Sequence, residues 1–142
     1  MTDSKAMMAM FDAFDNANQG LAIWDKGDNL IGFNSIYRDI FKNNMLSEPK
    51  IGINFGRSYE EASKKPEFQL TSENIKQRFA IRKQARKDKK PIENESKLEN
   101  GIWLNVRETA SDDGHMITVI TDVTESKNSA EMQSRLSNAI DS

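Results

Sequence analysis

Two hairpin signals, Asn100-Gly101 and Asp113-Gly114, sit in the last third of the chain and constrain its fold more than any other feature. Asn-Gly and Asp-Gly supply the positive φ angles that tight turns need, so the segments they separate pair as neighbouring antiparallel strands. Those segments are Ile92 to Leu98, Ile102 to Thr109 and Met116 to Val123. A second strand pair opens the chain: Leu21-Ala22-Ile23-Trp24 and Asn29-Leu30-Ile31-Gly32-Phe33 flank the turn Asp25-Lys26-Gly27-Asp28. Between the two strand groups the pattern is helical. Strands on either side of a helical block give an α+β fold, an antiparallel sheet covered on one face.

Within that block, Asn34 or Ser35 starts a short helix with Ile36, Tyr37, Ile40 and Phe41 on one face. A looser stretch from Lys42 to Pro66 holds a possible helical turn using Phe55, Tyr59 and Ala62. Ser72 can cap the longest helix, about Glu73 to Asp88, whose Ile75 and Phe79 face inward. Beyond them it turns basic: Lys76, Arg78, Arg82, Lys83, Arg86, Lys87, Lys89 and Lys90 stand against Asp88 alone, and Pro91 stops the helix. We read this run as a solvated helix face, with docking of an acidic partner domain as the alternative. No nucleic-acid motif accompanies it, and the net charge of −2 favours neither nucleic acid nor membrane.

Both ends of the chain read as helices. Asp3 or Ser4 caps the first, Met7, Met10, Phe11, Phe14 and Ala17 form its apolar stripe, and Gly20 ends it. The stripe packs on the chain's own core, forms a dimer contact, or does both. The tail from Thr124 to Ser142 leaves the last strand as a helix, with Asp122 or Thr124 as N-cap, Glu125 in the first turn and a narrow stripe of Met132, Leu136, Ala139 and Ile140. Strand alternation sets Ile102, Leu104 and Val106 on one face and Trp103, Asn105 and Arg107 on the other. It likewise separates Met116, Thr118 and Ile120 from Ile117, Val119 and Thr121. Neither face is fully polar, so the outer one needs cover, from the N-terminal stripe or from a partner chain.

Absences bound the chemistry. With no cysteine, disulfides, thiolate metal sites and a cysteine nucleophile are excluded. No apolar run approaches the ~18 residues of a membrane span, and the start MTDSKAMMAM is not a secretory signal. The expected location is cytoplasmic, with a periplasmic domain shown without its signal as the alternative. There is no GxGxxG, Walker loop or His-Glu-x-x-His. Ser/His/Asp chemistry would require His115, which sits in a hairpin as a solvated turn residue, and a lone imidazole supplies too few ligands for a metal. The chain is expected not to be an enzyme and to hold no metal. An enzyme on this scaffold would show a buried polar pair in its cavity, which the sequence does not reveal.

The opening Asn18-Gln19-Gly20-Leu21-Ala22-Ile23-Trp24-Asp25, the Phe33-Asn34 after the second strand, Asn100-Gly101-Ile102-Trp103-Leu104 and the ending Asp113-Gly114-His115-Met116-Ile117-Thr118-Val119-Ile120-Thr121-Asp122-Val123-Thr124-Glu125 together resemble the PAS family. The resemblance covers roughly residues 12 to 126, and its most specific part is Asp-Val-Thr-Glu after the Asp-Gly hairpin and before the exit helix. It implies a five-stranded antiparallel sheet with the middle helices folded over one face, organised as a cap helix over residues 1–19, a PAS core over 20–125 and a signalling helix over 126–142. It also implies a ligand space lined by Ala22, Trp24, Leu104, Val106, Thr118 and Ile120, with Ile75 and Phe79 opposite. Asp122 and Thr124 match the junction residues that tether the exit helix.

Trp103, Ile117 and Val119 would face out, forming a homodimer interface with Met7, Met10, Phe11 and Phe14. The family's cysteinyl-flavin and haem subgroups are disfavoured, since the chain has no cysteine and its long helix no histidine. The cofactor expectation is none, with non-covalent flavin as the candidate that needs neither residue; Thr118 and Glu108 are the few polar groups near the space. The function implied is a bacterial sensory and dimerisation module that signals through its C-terminal helix to an output domain outside the chain, a histidine kinase, diguanylate cyclase or nucleotide cyclase. A ligand-free interaction module with a filled core is the alternative. Leu136-Ser137-Asn138-Ala139-Ile140-Asp141 echoes Phe11-Asp12-Ala13-Phe14-Asp15-Asn16, as if a second copy followed.

Overall fold

Both hairpins of the last third form as their turn residues require, with Gly101 at φ 89° and Gly114 at φ 90°. The computed structural model describes residues 2–43, 48–56, 72–98 and 100–141, the side chains at 2, 3, 72–76 and 141 aside. Along the chain run α1 (Thr2–Asn16), β1 (Gly20–Trp24), β2 (Leu30–Phe33), α2 (Ser35–Asn43), α3 (Ser72–Asp88), β3 (Ile92–Lys97), β4 (Trp103–Ala110), β5 (Met116–Asp122) and α4 (Thr124–Asp141). The strands form one antiparallel sheet in the order β2-β1-β5-β4-β3. The last strand is therefore the central one, paired with the first strand on one side and with β4 on the other, and it feeds straight into α4.

Register assigns the faces. Ala22 stands opposite Thr118, Thr118 opposite Glu108, and Gly20 opposite Ile120, which is opposite Val106. These, with Trp24, Met116 and Leu104, line the inner face, where Ala22, Leu30, Phe55, Ala85 and Leu98 join the core. On the outer face Leu21 meets Val119 and Ile23 meets Ile117. Leu21 and Ile23 are buried, and the outer-facing Trp103, Ile117 and Val119 are half-buried.

Local chemistry explains the joints. Asn34 caps α2: its carboxamide oxygen accepts from the Tyr37 N–H at 3.0 Å and from the buried Leu21 N–H at 2.8 Å, while its amide donates to the Gln19 carbonyl at 2.9 Å. One side chain thereby fixes the start of a helix and the entry to β1. At Gly20 a Cβ would overlap the Ile120 side chain and sit 3.0 Å from the Tyr37 Cα, so only glycine lets α2 lie this close. In the β1–β2 turn the Asp25 carboxylate accepts from the N–H groups of Gly27 and Asn29, both at 2.9 Å. The Asn29 N–H contributes most to holding the Asp25 carboxyl below its ordinary pKa.

Three expectations need correction. Helix α1 starts at Thr2, so Asp3 and Ser4 lie inside it rather than capping it. It stops at Asn16, not Gly20: Asn18 takes the left-handed conformation at φ 56°, and Gly20 already belongs to the sheet. The α1 stripe divides: Phe11, over Gly32 of β2, and Phe14 are half-buried, whereas Met7 and Met10 are 42% and 41% exposed. The third correction concerns the basic run of α3. Arg82 is buried and Arg86 half-buried, so this run is not simply a solvated face. Tyr59 and Ala62 of the expected helical turn lie outside the described residues.

Candidate functional site

The concave side of the sheet is closed by α3, and the side chain at its centre is Arg82, 1% exposed. Its guanidinium lies 3.7 Å from the Phe55 ring centroid and 5.2 Å from that of Trp24. Phe55 stacks edge-on against both Trp24 and Phe79, each at 5.5 Å between centroids. A cation in such a place needs counter-charge, because desolvation of an unpaired ion is prohibitive. Two carboxylates supply it. Asp28 accepts from Arg82 Nε at 3.2 Å and Nη2 at 3.1 Å, and Glu108 accepts from Arg82 Nη1. Both are buried.

The network reaches further. Thr118 donates its hydroxyl proton to Glu108 at 2.7 Å and accepts from the Trp24 indole N–H at 3.0 Å. Arg86, one turn beyond Arg82, also pairs with Asp28 and donates to the carbonyls of Gly114 (2.9 Å) and Asp25 (3.2 Å). Two cations and two anions are thus enclosed together, joining α3, the β1–β2 turn, the β4–β5 hairpin and the inner faces of β1, β4 and β5. Asp28 reaches this position because its backbone is left-handed at φ 64°, a conformation aspartate tolerates better than most residues.

Each predicted site residue can now be placed. Ala22, Trp24, Leu104, Thr118 and Ile120 are buried on the inner face, with half-buried Val106 and Phe79 packed against the same core. Ile75 lies on α3 outside the described side chains. Sequence reasoning missed Asp28, Arg82 and Arg86. A signal was present: Ile75, Phe79, Arg82 and Arg86 stand at i, i+4, i+7 and i+11, one face of a helix. Counting only apolar residues hid it. The buried polar pair expected of an enzyme does exist here. Its carboxylates are neutralised by arginines and its hydroxyl is engaged as both donor and acceptor, an arrangement that holds a core together rather than activating a nucleophile.

The second site is the sheet-to-helix junction. Asp122 accepts from the Thr124 N–H at 2.9 Å and from its hydroxyl at 2.5 Å, and that hydroxyl accepts from the Trp103 N–H at 2.8 Å. The Val123 N–H completes the tie, donating to the Trp103 carbonyl at 2.9 Å. The base of α4 is thereby fastened to the first residue of β4. An open groove of about 670 Å³ runs beside it, between Asn18 and the first turns of α4. His115 sits in the β4–β5 hairpin, its Nδ1 2.7 Å from Asp113. The hydroxyl of Ser111, and after it His115, hold the Asp113 carboxyl at a pKa of about 2. Among the described residues no group of three potential metal ligands occurs, and no helix is long and apolar enough to cross a membrane.

The family described as PAS fold matches residues 14–131. Similar solved structures include a domain of an HTR-like protein from Haloarcula marismortui, at 13% identity and TM-score 0.48, covering 75% of this chain and 98% of that one. Another is a domain of a sensory box sensor histidine kinase/response regulator from Geobacter sulfurreducens, at 18% identity and TM-score 0.47, covering 84% of this chain and 94% of that one. No curated protein matches.

Proposed function

The chain belongs to the PAS family, and from that premise we propose that it is a non-catalytic sensory module of a bacterial signalling protein, passing an association-dependent signal through α4 to a downstream output domain. The observation that carries this reading is α4 itself. It is fastened at its first residue by Thr124, Asp122 and Trp103, and its stripe of Met132, Leu136 and Ile140 is 55%, 57% and 83% exposed. A helix fastened at its base and exposed from Asn128 to Ile140 passes on whatever tilt its base is given. The domain plan of a cap helix over 1–19, a core over 20–125 and a signalling helix over 126–142 fits that use. The output would be a histidine kinase or a cyclase of the diguanylate or nucleotide type, in a cytoplasmic setting.

Association is favoured over a small-molecule signal by Arg82, whose side chain and two carboxylate partners occupy the middle of the inner face. A non-covalent flavin would have to displace that group at the cost of stranded charges. The partner fitting the exposed Met7, Met10 and α4 stripe is a second copy, with Trp103, Ile117 and Val119 at the margin. The chain has no cysteine, so single-cysteine crosslinking is unambiguous. Light scattering should give a dimer mass, L136C should form an intermolecular disulfide, and the purified protein should release no small molecule on denaturation. A monomer at every concentration, or a stoichiometric chromophore, would overturn the proposal.

A further inference from the structure

We propose that Trp103, Lys127 and Glu95 form an electrostatic latch that sets the direction in which α4 leaves the sheet; this rests on the reading of α4 as the output element. The tie through Thr124 fixes where α4 starts but not where it points, since a helix joined at one residue can still swing. A second point of attachment decides the direction. Lys127, one turn into α4, supplies it: its ammonium lies 5.1 Å from the Trp103 ring centroid and pairs with Glu95 of β3. Lys97, on β3 with Glu95 and opposite Trp103, places a second ammonium 5.7 Å from the same ring. One tryptophan thus engages α4 twice, by its backbone at Thr124 and Val123 and by its π face at Lys127. The boundary is sharp. Lys127 is half-buried, and every residue of α4 from Asn128 to Ile140 is exposed. The contacts are charged and solvent-facing, with Lys127 and Glu95 side chains 37% and 41% exposed, so they are strong enough to bias the helix and weak enough to be undone. Salt, or removal of the Lys127 charge, frees the helix without touching the core.

The test uses the full 142-residue chain. Spin labels on cysteines introduced at the exposed Thr109 and Ser137 report the angle of α4, with labelled chains diluted into unlabelled ones so that only intramolecular distances are read. Amide exchange in the first two turns of α4 is followed in parallel. K127Q should broaden the distance distribution and speed that exchange by roughly three- to thirtyfold, the scale of one exposed cation–π contact plus one exposed ion pair. K127R should restore the wild-type values. Raising ionic strength to about 1 M, where the Debye length falls to ~3 Å, should loosen the wild type and leave K127Q unchanged. Wild-type behaviour of K127Q, or equal loosening in K127R, overturns the latch. Light scattering on the same samples separates the two ideas: a chain that never associates sinks the association reading, while the intramolecular distance still reports on the latch.

Discussion

Replacing Arg82 by methionine tests the charged interior most directly. The side chain is 1% exposed, and its partners Asp28 and Glu108 have side chains 9% and 11% exposed, so solvent screens the trio little. Methionine fills much of the volume and keeps contact with Phe55 and Trp24 but removes the cation. Breaking one partner of a buried ion pair costs about 3–5 kcal/mol, because a charge is left uncompensated. Among the described residues Asp28 keeps Arg86, whereas Glu108 keeps only the Thr118 hydroxyl, so one carboxylate rather than two is stranded. The expected loss is therefore near the lower end, about 3 kcal/mol, a large part of the ~5–15 kcal/mol available to a domain. Adding Glu108→Gln removes the stranded charge and retains an acceptor for Thr118. The double variant should regain at least ~1 kcal/mol over R82M, beyond the scatter of additivity. Urea unfolding followed by far-UV circular dichroism gives both values. A loss below about 1 kcal/mol in R82M, or further destabilisation on adding E108Q, would refute a buried charge cluster at the centre of the fold.

Three other outcomes follow from the geometry. Asn34→Ala removes the α2 cap and strands the buried Leu21 N–H, and should cost ~2–3 kcal/mol in the same unfolding assay. Thr124→Ala opens the junction while leaving the core intact: global stability should fall by only ~1 kcal/mol, but amide exchange should rise selectively at Trp103 and in the first turn of α4. The Asp113 carboxyl should titrate near pH 2 by carbon-detected NMR, against an ordinary value of 3.8. Because its folded pKa is depressed, its stabilising contribution is complete above pH ~4 and is lost as pH falls through about 2; Ser111→Ala should move the midpoint upward.

Hairpins, helix order, strand faces and the Asp122–Thr124 junction were legible from the residues because each depends on local chemistry. Asn100-Gly101 and Asp113-Gly114 bring the positive φ that their turns need, alternation assigns Leu104 inward and Trp103 outward, and the Asp122 carboxylate reaches an N–H two residues away. The interior was not legible, because Asp28, Arg82 and Glu108 are 54 and 26 residues apart in sequence and each alone reads as a turn former, a member of a basic run and a strand-end acid. Their charges are tolerable in the core only when folding brings them within hydrogen-bonding distance, and that proximity is created by the packing of α3 against β3 and β4, which carries Arg82 to Asp28 of the β1–β2 turn and Glu108 of β4. The same holds for the outer surface: chain pattern placed Met7, Phe11 and Phe14 on one stripe, but only the packing of α1 decided that Phe11, over Gly32, and Phe14 are half-buried while Met7 is 42% exposed.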